Sequence, residues 1–203
     1  MKSRGFLSSA ATVVMAAALQ MINATPSPAV TPTPDLRPGI FGGAGLDSGG
    51  QHINYAIAAD ISDFHRNLIR TAAGNWNIDL GRDFLREGAN ATLHFSQGDL
   101  GFSPSGSKIL GQTTVNRSNF GSITLDTPHW DLQNSSWYDR LSTTAHEIGH
   151  ALGLEHSAAP TECSELMKAH FSHTDCDVLS PNEAETNMVK SLYQARYPSL
   201  TWG

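Results

Sequence analysis

The run His146-Glu147-Ile148-Gly149-His150-Ala151-Leu152-Gly153-Leu154-Glu155-His156 carries side chains whose types and spacing can do chemistry. His146 and His150 are four apart, about 400° of helical rotation, so both imidazoles leave one face of a helix a turn apart. Two neutral imidazoles so placed can share one zinc ion at roughly 2.0–2.1 Å. Glu147 falls beside such a metal rather than on it, where its carboxylate can take a proton from an attacking water. Gly153 tolerates φ > 0, the conformation that commonly follows a helix end. A sharp turn there returns the chain, so that His156 supplies a third nitrogen. Three protein ligands leave a fourth position open, which is the mark of a catalytic rather than a structural zinc site.

These residues need a helix beneath them. Ser136 with Asp139 three residues on approximates a capping box, and the active-site helix is predicted over 137–152. Alternation in 52–57 predicts a strand. Ser62 or Asp63 caps a following helix with Phe64, Leu68, Ile69, Ala72 and Trp76 at helical spacing. Residues 91–95, 109–115 and 122–125 read as further strands, with a glycine- and serine-rich loop running through Ser107. Ser180 (N-cap), Pro181 (N1) and Glu183 (N3) mark the start of a last helix, which turns Ala184, Met188, Leu192 and Tyr193 inward. The expected class is α/β (α+β).

The run 146–156 resembles the HExxHxxGxxH signature of the metzincin metalloproteases. Ser157 after the third histidine resembles the matrixin branch. So do the Leu192-Tyr193 ending of the last helix and the segment from Ile123 to Trp130. The likeness covers residues 51–197. It implies a zincin fold: a twisted, mostly parallel sheet with an antiparallel edge strand, two long helices, a Met-turn at Met167 and a C-terminal helix. It also implies a zinc endopeptidase with metal ligands His146, His150 and His156 and catalytic Glu147. Its protein or peptide substrate would pair with the edge strand between Leu110 and Val115.

Departures from the family matter as well. Gln112 and Thr124 stand where matrixins carry histidine ligands of a structural zinc. Asp126 matches a calcium ligand, but Thr127, Pro128 and His129 replace its acidic neighbours. One catalytic zinc, no structural zinc and at most weak calcium binding are expected. His94, His129, His170 and His173 read as surface or hydrogen-bonded histidines. Lys168-Ala169-His170-Phe171 after the methionine departs from the family's pocket wall. The rival class is a secreted zinc-binding interaction module without catalysis, which the reduced ion frame favours and the intact Glu147 opposes.

The rest of the 203-residue chain bounds the setting. Residues 1–24 read as a signal peptide: Lys2 and Arg4, an uncharged run from Phe6 to Ile22, and Ala18 or Ala24 before the cleavage point. That run is too weakly apolar to favour a membrane span. Residues 25–50 hold five of the ten prolines and six glycines, a composition that buries little apolar surface and reads as a linker or short pro-segment. No cysteine precedes Cys163, so a cysteine switch is not available, and Asp47 or Asp35 is the alternative carboxylate for latency. The catalytic domain is set at 51–203. A formal charge of −6 gives no basic footprint for nucleic acid, and a monomer secreted to the extracellular space is expected. Asn90, Asn116 and Asn134 lie in glycosylation sequons. Cys163 and Cys176 form an even pair, which in a secreted chain suggests a disulfide around the Met-turn, with two free thiols as the alternative. Non-reducing peptide mapping should find the two joined. Changing both to Ser should then lower stability by ~3 kcal/mol in the chain-entropy account while leaving zinc affinity nearly unchanged.

Overall fold

The computed structural model describes residues 43–157, 165–168 and 178–202. The strands β1 (Ile53–Ile57), β2 (Leu85–Glu87), β3 (Leu93–Gln97), β4 (Gly111–Val115) and β5 (Gly121–Leu125) form one sheet in the order β2-β1-β3-β5-β4. β1 runs parallel to β2 and β3, and β3 parallel to β5. β4 alone is antiparallel, paired to β5 with Gln112 opposite Thr124 and Thr113 opposite Ile123. This is the mostly parallel sheet with an antiparallel edge strand that the family resemblance implied. In β5 Gly121, Ile123 and Leu125 are buried while Ser122 is exposed, the period-2 pattern of a strand with one face on a core.

Helix α1 (Asp63–Leu80) starts at Ser62, whose hydroxyl accepts the His65 N–H, and stops at Gly81 in the left-handed region. Leu68, Ile69, Ala72 and Trp76 are buried, as their spacing predicts. Phe64 is not: it is 51% exposed and lies 5.4 Å from the Arg140 guanidinium. His65 is buried in its place because both ring nitrogens find partners, Ser62 Oγ at 3.0 Å and Arg140 Nη1 at 2.9 Å.

Helix α2 (Thr127–Leu132) and strand β2 have no counterpart in the sequence reading. Each is short, and β2 buries only Leu85. Helix α3 (Trp137–Ala151) opens on the predicted Ser136–Asp139 capping box. Helix α4 (Glu183–Arg196) starts later than predicted. Its cap is Asn182, which exchanges reciprocal bonds with Glu185, so Ser180 is not the N-cap and Glu183 is not N3. The shift turns Glu185, Thr186, Val189 and Tyr193 inward, with Met188 and Leu192 only partly buried against the core.

Burial begins before residue 51, where the sequence reading set the domain's start. Ala44 is fully buried. Its N–H donates to Ala151 O at 2.7 Å, and the Tyr193 hydroxyl donates to its carbonyl at 2.7 Å. This segment therefore ties the end of α3 to α4. Asp47 uses its carboxylate within its own turn, accepting the Gln51 N–H at 3.1 Å. Asn90, Asn116 and Asn134 are all exposed. Among the described residues no helix is long and apolar enough to cross a membrane. The signal-peptide residues, Asp35, Cys163, Cys176, His170 and His173 lie outside the described residues.

The two long helices α1 and α3 are joined at Trp76, which is fully buried and donates its indole N–H to Ala145 O at 2.9 Å. Trp76→Phe removes that donor and part of the ring. It should cost about 1–3 kcal/mol in denaturant unfolding, read as a lower midpoint at unchanged slope.

Candidate active site

α3 brings His146 and His150 to one face, and Gly153, at φ 93°, reverses the chain. The turn is fixed by Gly153 N–H to His150 O at 3.0 Å and Leu154 N–H to Gly149 O at 3.0 Å. His156 thereby reaches the same point. Its Nε2 lies 3.2 Å from His146 Nε2 and 3.1 Å from His150 Nε2. Nitrogens around a tetrahedral ion at ~2.0–2.1 Å stand about 3.3 Å apart, close to this spacing.

The hydrogen bonds on the far side of the rings identify what these nitrogens carry. His146 Nδ1 lies 2.7 Å from Leu166 O, and His150 Nδ1 lies 2.8 Å from Leu154 O. A carbonyl only accepts, so both Nδ1 atoms donate, and both Nε2 atoms present lone pairs when the rings are neutral. Burial, with the neighbouring His150, holds His146 down at about 3, and burial lowers His150 as well. At most one of the two Nε2 contacts can be a hydrogen bond, through a proton on His156. A cation at the centre satisfies all three, so the donor set fits zinc. This is the only such group among the described residues.

Glu147 points off the same turn into a cleft of about 530 Å³ that it shares with the three histidines and with Ile109, Gly111 and Thr113. It is 6% exposed. Burial pushes its carboxyl up to about 7, against the pull of the Thr113 hydroxyl. Thr113 Oγ1 donates to Glu147 Oε2 at 2.7 Å. Gly111 faces the side chain, and a Cβ there would lie 2.6 Å from Glu147 Cγ.

Met167 is fully buried under α3. A Cβ on Gly149 would overlap its sulfur, so glycine at this helical position lets the methionine sit directly beneath the imidazole-bearing turn. Its carbonyl accepts the Ser157 N–H at 2.9 Å and its N–H donates to Glu185 Oε1 at 2.7 Å. The segment after His156, the methionine and α4 are thus linked.

Gln112 and Thr124 are cross-strand neighbours on the outer side of the sheet, with Thr124 Oγ1 bonded to Ser96 Oγ at 3.0 Å. Asp126 is fully buried. Its carboxylate accepts from Lys108 Nζ at 2.8 Å, Leu100 N at 3.1 Å and His129 N at 3.1 Å. Lys108 also holds Asp99 at 2.6 Å. A calcium ion at Asp126 would have to displace that ammonium.

Thr113, Gly111, Lys108 and Glu185 were not singled out in the sequence. Parity along 109–115 could have found the first two, since they share the inward face of one strand. The Asn182–Glu185 spacing, as good a capping pattern as Ser180–Glu183, could have found the last.

The histidine helix, its glycine turn and the methionine floor occur together in metzincins, the zinc metalloproteases whose catalytic domain this fold and site define. A family model for matrixins matches residues 50–194, and the chain belongs to that family. It is 35% identical over 126 residues to the extracellular small neutral protease of Streptomyces caespitosus, covering 62% of this chain and 85% of the relative. It is 28% identical over 128 residues to the Streptomyces coelicolor protein of the same name, of which it spans 54% while 63% of this chain is covered. In fold it is similar to archaemetzincin from Methanopyrus kandleri, with TM-score 0.52 and 12% identity over 73% of this chain and 99% of that one.

Glu185 gives the site a measurable pH dependence. Burial raises its carboxyl to about 7, with the neighbouring Glu165 adding to the rise, over the opposing pull of the Asn182 and Met167 N–H groups. The native form therefore keeps its proton up to about 7, whereas an unfolded glutamate releases it near the ordinary 4.5. The folded state binds more protons across that window, so this group's contribution to stability falls as pH rises from about 5 through 7 and stays lost above. Tm measured from pH 5 to 8 should fall more steeply in the parent than in Glu185→Gln.

Proposed function

We propose that the chain is a secreted zinc endopeptidase in which Glu147 is general base and then general acid. The observation that carries this reading is the shared cleft: three converging imidazoles and a buried carboxylate open on the same space as the inner face of β4. His146, His150 and His156 would hold the ion. Bound there, zinc supplies a Lewis acid that polarises the scissile carbonyl and makes water more acidic. Glu147 takes the proton of the attacking water and returns it to the departing amine nitrogen. Extended substrate backbone pairs with the free edge of β4, near residues 110–115, adding a strand to the sheet.

The names of the Streptomyces relatives support secretion, as does the leader-like composition of residues 1–24. Residues 25–50 are then the linker or pro-segment, its end packed on the body from Ala44 onward.

The test is hydrolysis of an unstructured protein, together with zinc content, in the parent, Glu147→Gln and His150→Ala. Glu147→Gln keeps size and ligands but cannot accept a proton. It should retain one zinc per chain and lose about 10²–10⁴-fold in rate. His150→Ala should lose zinc and activity together, and a chelator should silence the parent. An unchanged rate in Glu147→Gln overturns the mechanism. A zinc-loaded, processed parent that cleaves nothing favours the interaction module instead.

A further inference from the structure

Glu147 touches β4 at two residues of the same inward face. Against Gly111 it lies on bare backbone: a Cβ there would come within 2.6 Å of Cγ and 2.9 Å of Oε1. Two residues on, the Thr113 hydroxyl has two acceptors in reach, and both belong to Glu147: carboxylate Oε2 at 2.7 Å and main-chain O at 2.9 Å. A glutamate side chain has three rotatable bonds and many ways to leave its working position. A β-branched threonine in a strand has a restricted χ1, so its Oγ1 is set in place before it bonds.

We propose that Thr113 is a positioning residue for the hydrolysis assigned above, on which this inference rests. Its hydroxyl holds Oε2 and lays the carboxylate flat on Gly111. Oε1 is then the oxygen that exchanges protons with water and the amine. Because β4 is also the strand offered to substrate, one strand fixes both the base and the backbone it acts on. A carboxylate displaced by an ångström loses rate without losing substrate binding.

The experiment compares Thr113→Val, which keeps the shape and removes the hydroxyl, with Thr113→Ser, which keeps the hydroxyl. Each is assayed for kcat and KM on a peptide the parent cleaves, for zinc content and Tm, and by crystal structure of the metal-free protein. Thr113→Val should lower kcat about tenfold or more at unchanged KM, zinc content and Tm, and Thr113→Ser should stay within about threefold of the parent. In the crystals the Glu147 carboxylate should leave Gly111 in the Val variant and remain there in the Ser variant. In a Glu147→Gln background Thr113→Val should add little, since the two act as one unit.

An unimpaired Thr113→Val overturns the proposal while leaving the hydrolase reading intact. Equal losses in Val and Ser, or a loss accompanied by failing zinc content or Tm, also overturn it by showing a structural role. If the parent cleaves nothing, the hydrolase reading fails. The crystal comparison then still decides whether the hydroxyl holds the carboxylate, and an unmoved Glu147 in Thr113→Val rejects it.

Discussion

Three imidazole Nε2 atoms converge on one point, within 3.2 Å of one another where His156 meets the other two, and a cation between them would satisfy all three at once. Two come from one helical turn, so their spacing costs nothing beyond forming α3. The third needs a chain reversal within six residues, which Gly153 provides at φ 93°. The far side of each helical ring is fixed by a main-chain carbonyl, Leu166 O for His146 and Leu154 O for His150. Those carbonyls select the tautomer that presents Nε2 and hold the ring planes. One of them belongs to the Met-turn and the other to the glycine turn. Ring orientation therefore depends on two loops as well as on the helix.

That dependence explains why the surrounding packing is polar in specific places. Arg140, at the start of α3, is nearly buried and donates to Asp131, Trp130 O, Ser135 O and His65. It ties the foot of the active-site helix to both α1 and α2. Glu185 carries a carboxyl group from α4 to the Met167 N–H. Burying such groups is unfavourable unless their bonds are made, and here several of those bonds reach another element. Each polar group thus fixes a distance that hydrophobic contact alone would leave adjustable.

The geometry of the candidate site was legible in the sequence because it is local: four of its residues, His146, Glu147, His150 and His156, fall within eleven positions whose spacing brings them together. α3 and its capping box were legible for the same reason. The misplaced start of α4 shows where local reading stops. Ser180–Pro181–Glu183 and Asn182–Glu185 are competing capping patterns in one stretch. The pattern that forms is the one whose Glu185 also accepts the Met167 N–H, a partner on another segment that cap spacing alone does not reveal. Phe64 and His65 make the same point, since helical spacing puts Phe64 inward, but Arg140 offers a partner to His65 and leaves Phe64 at the surface. Thr113 was visible only as a strand residue, because its partner lies on another element.

Lys108 shows how a loop over a cleft can be braced without an external ion. Asp126 is wholly buried at the N-cap of α2 and would be a costly carboxylate without a cation. The ammonium of Lys108 meets it and also holds Asp99, so the turn between β3 and β4 closes on itself. A side-chain cation is covalently present at fixed stoichiometry. A bound ion instead stabilises by an amount that rises with its free concentration. The order of this rim, and with it the approach to β4, therefore rests in part on a side-chain cation of the chain itself, and the three histidines are the one group of three or more possible metal ligands that lie together among the described residues.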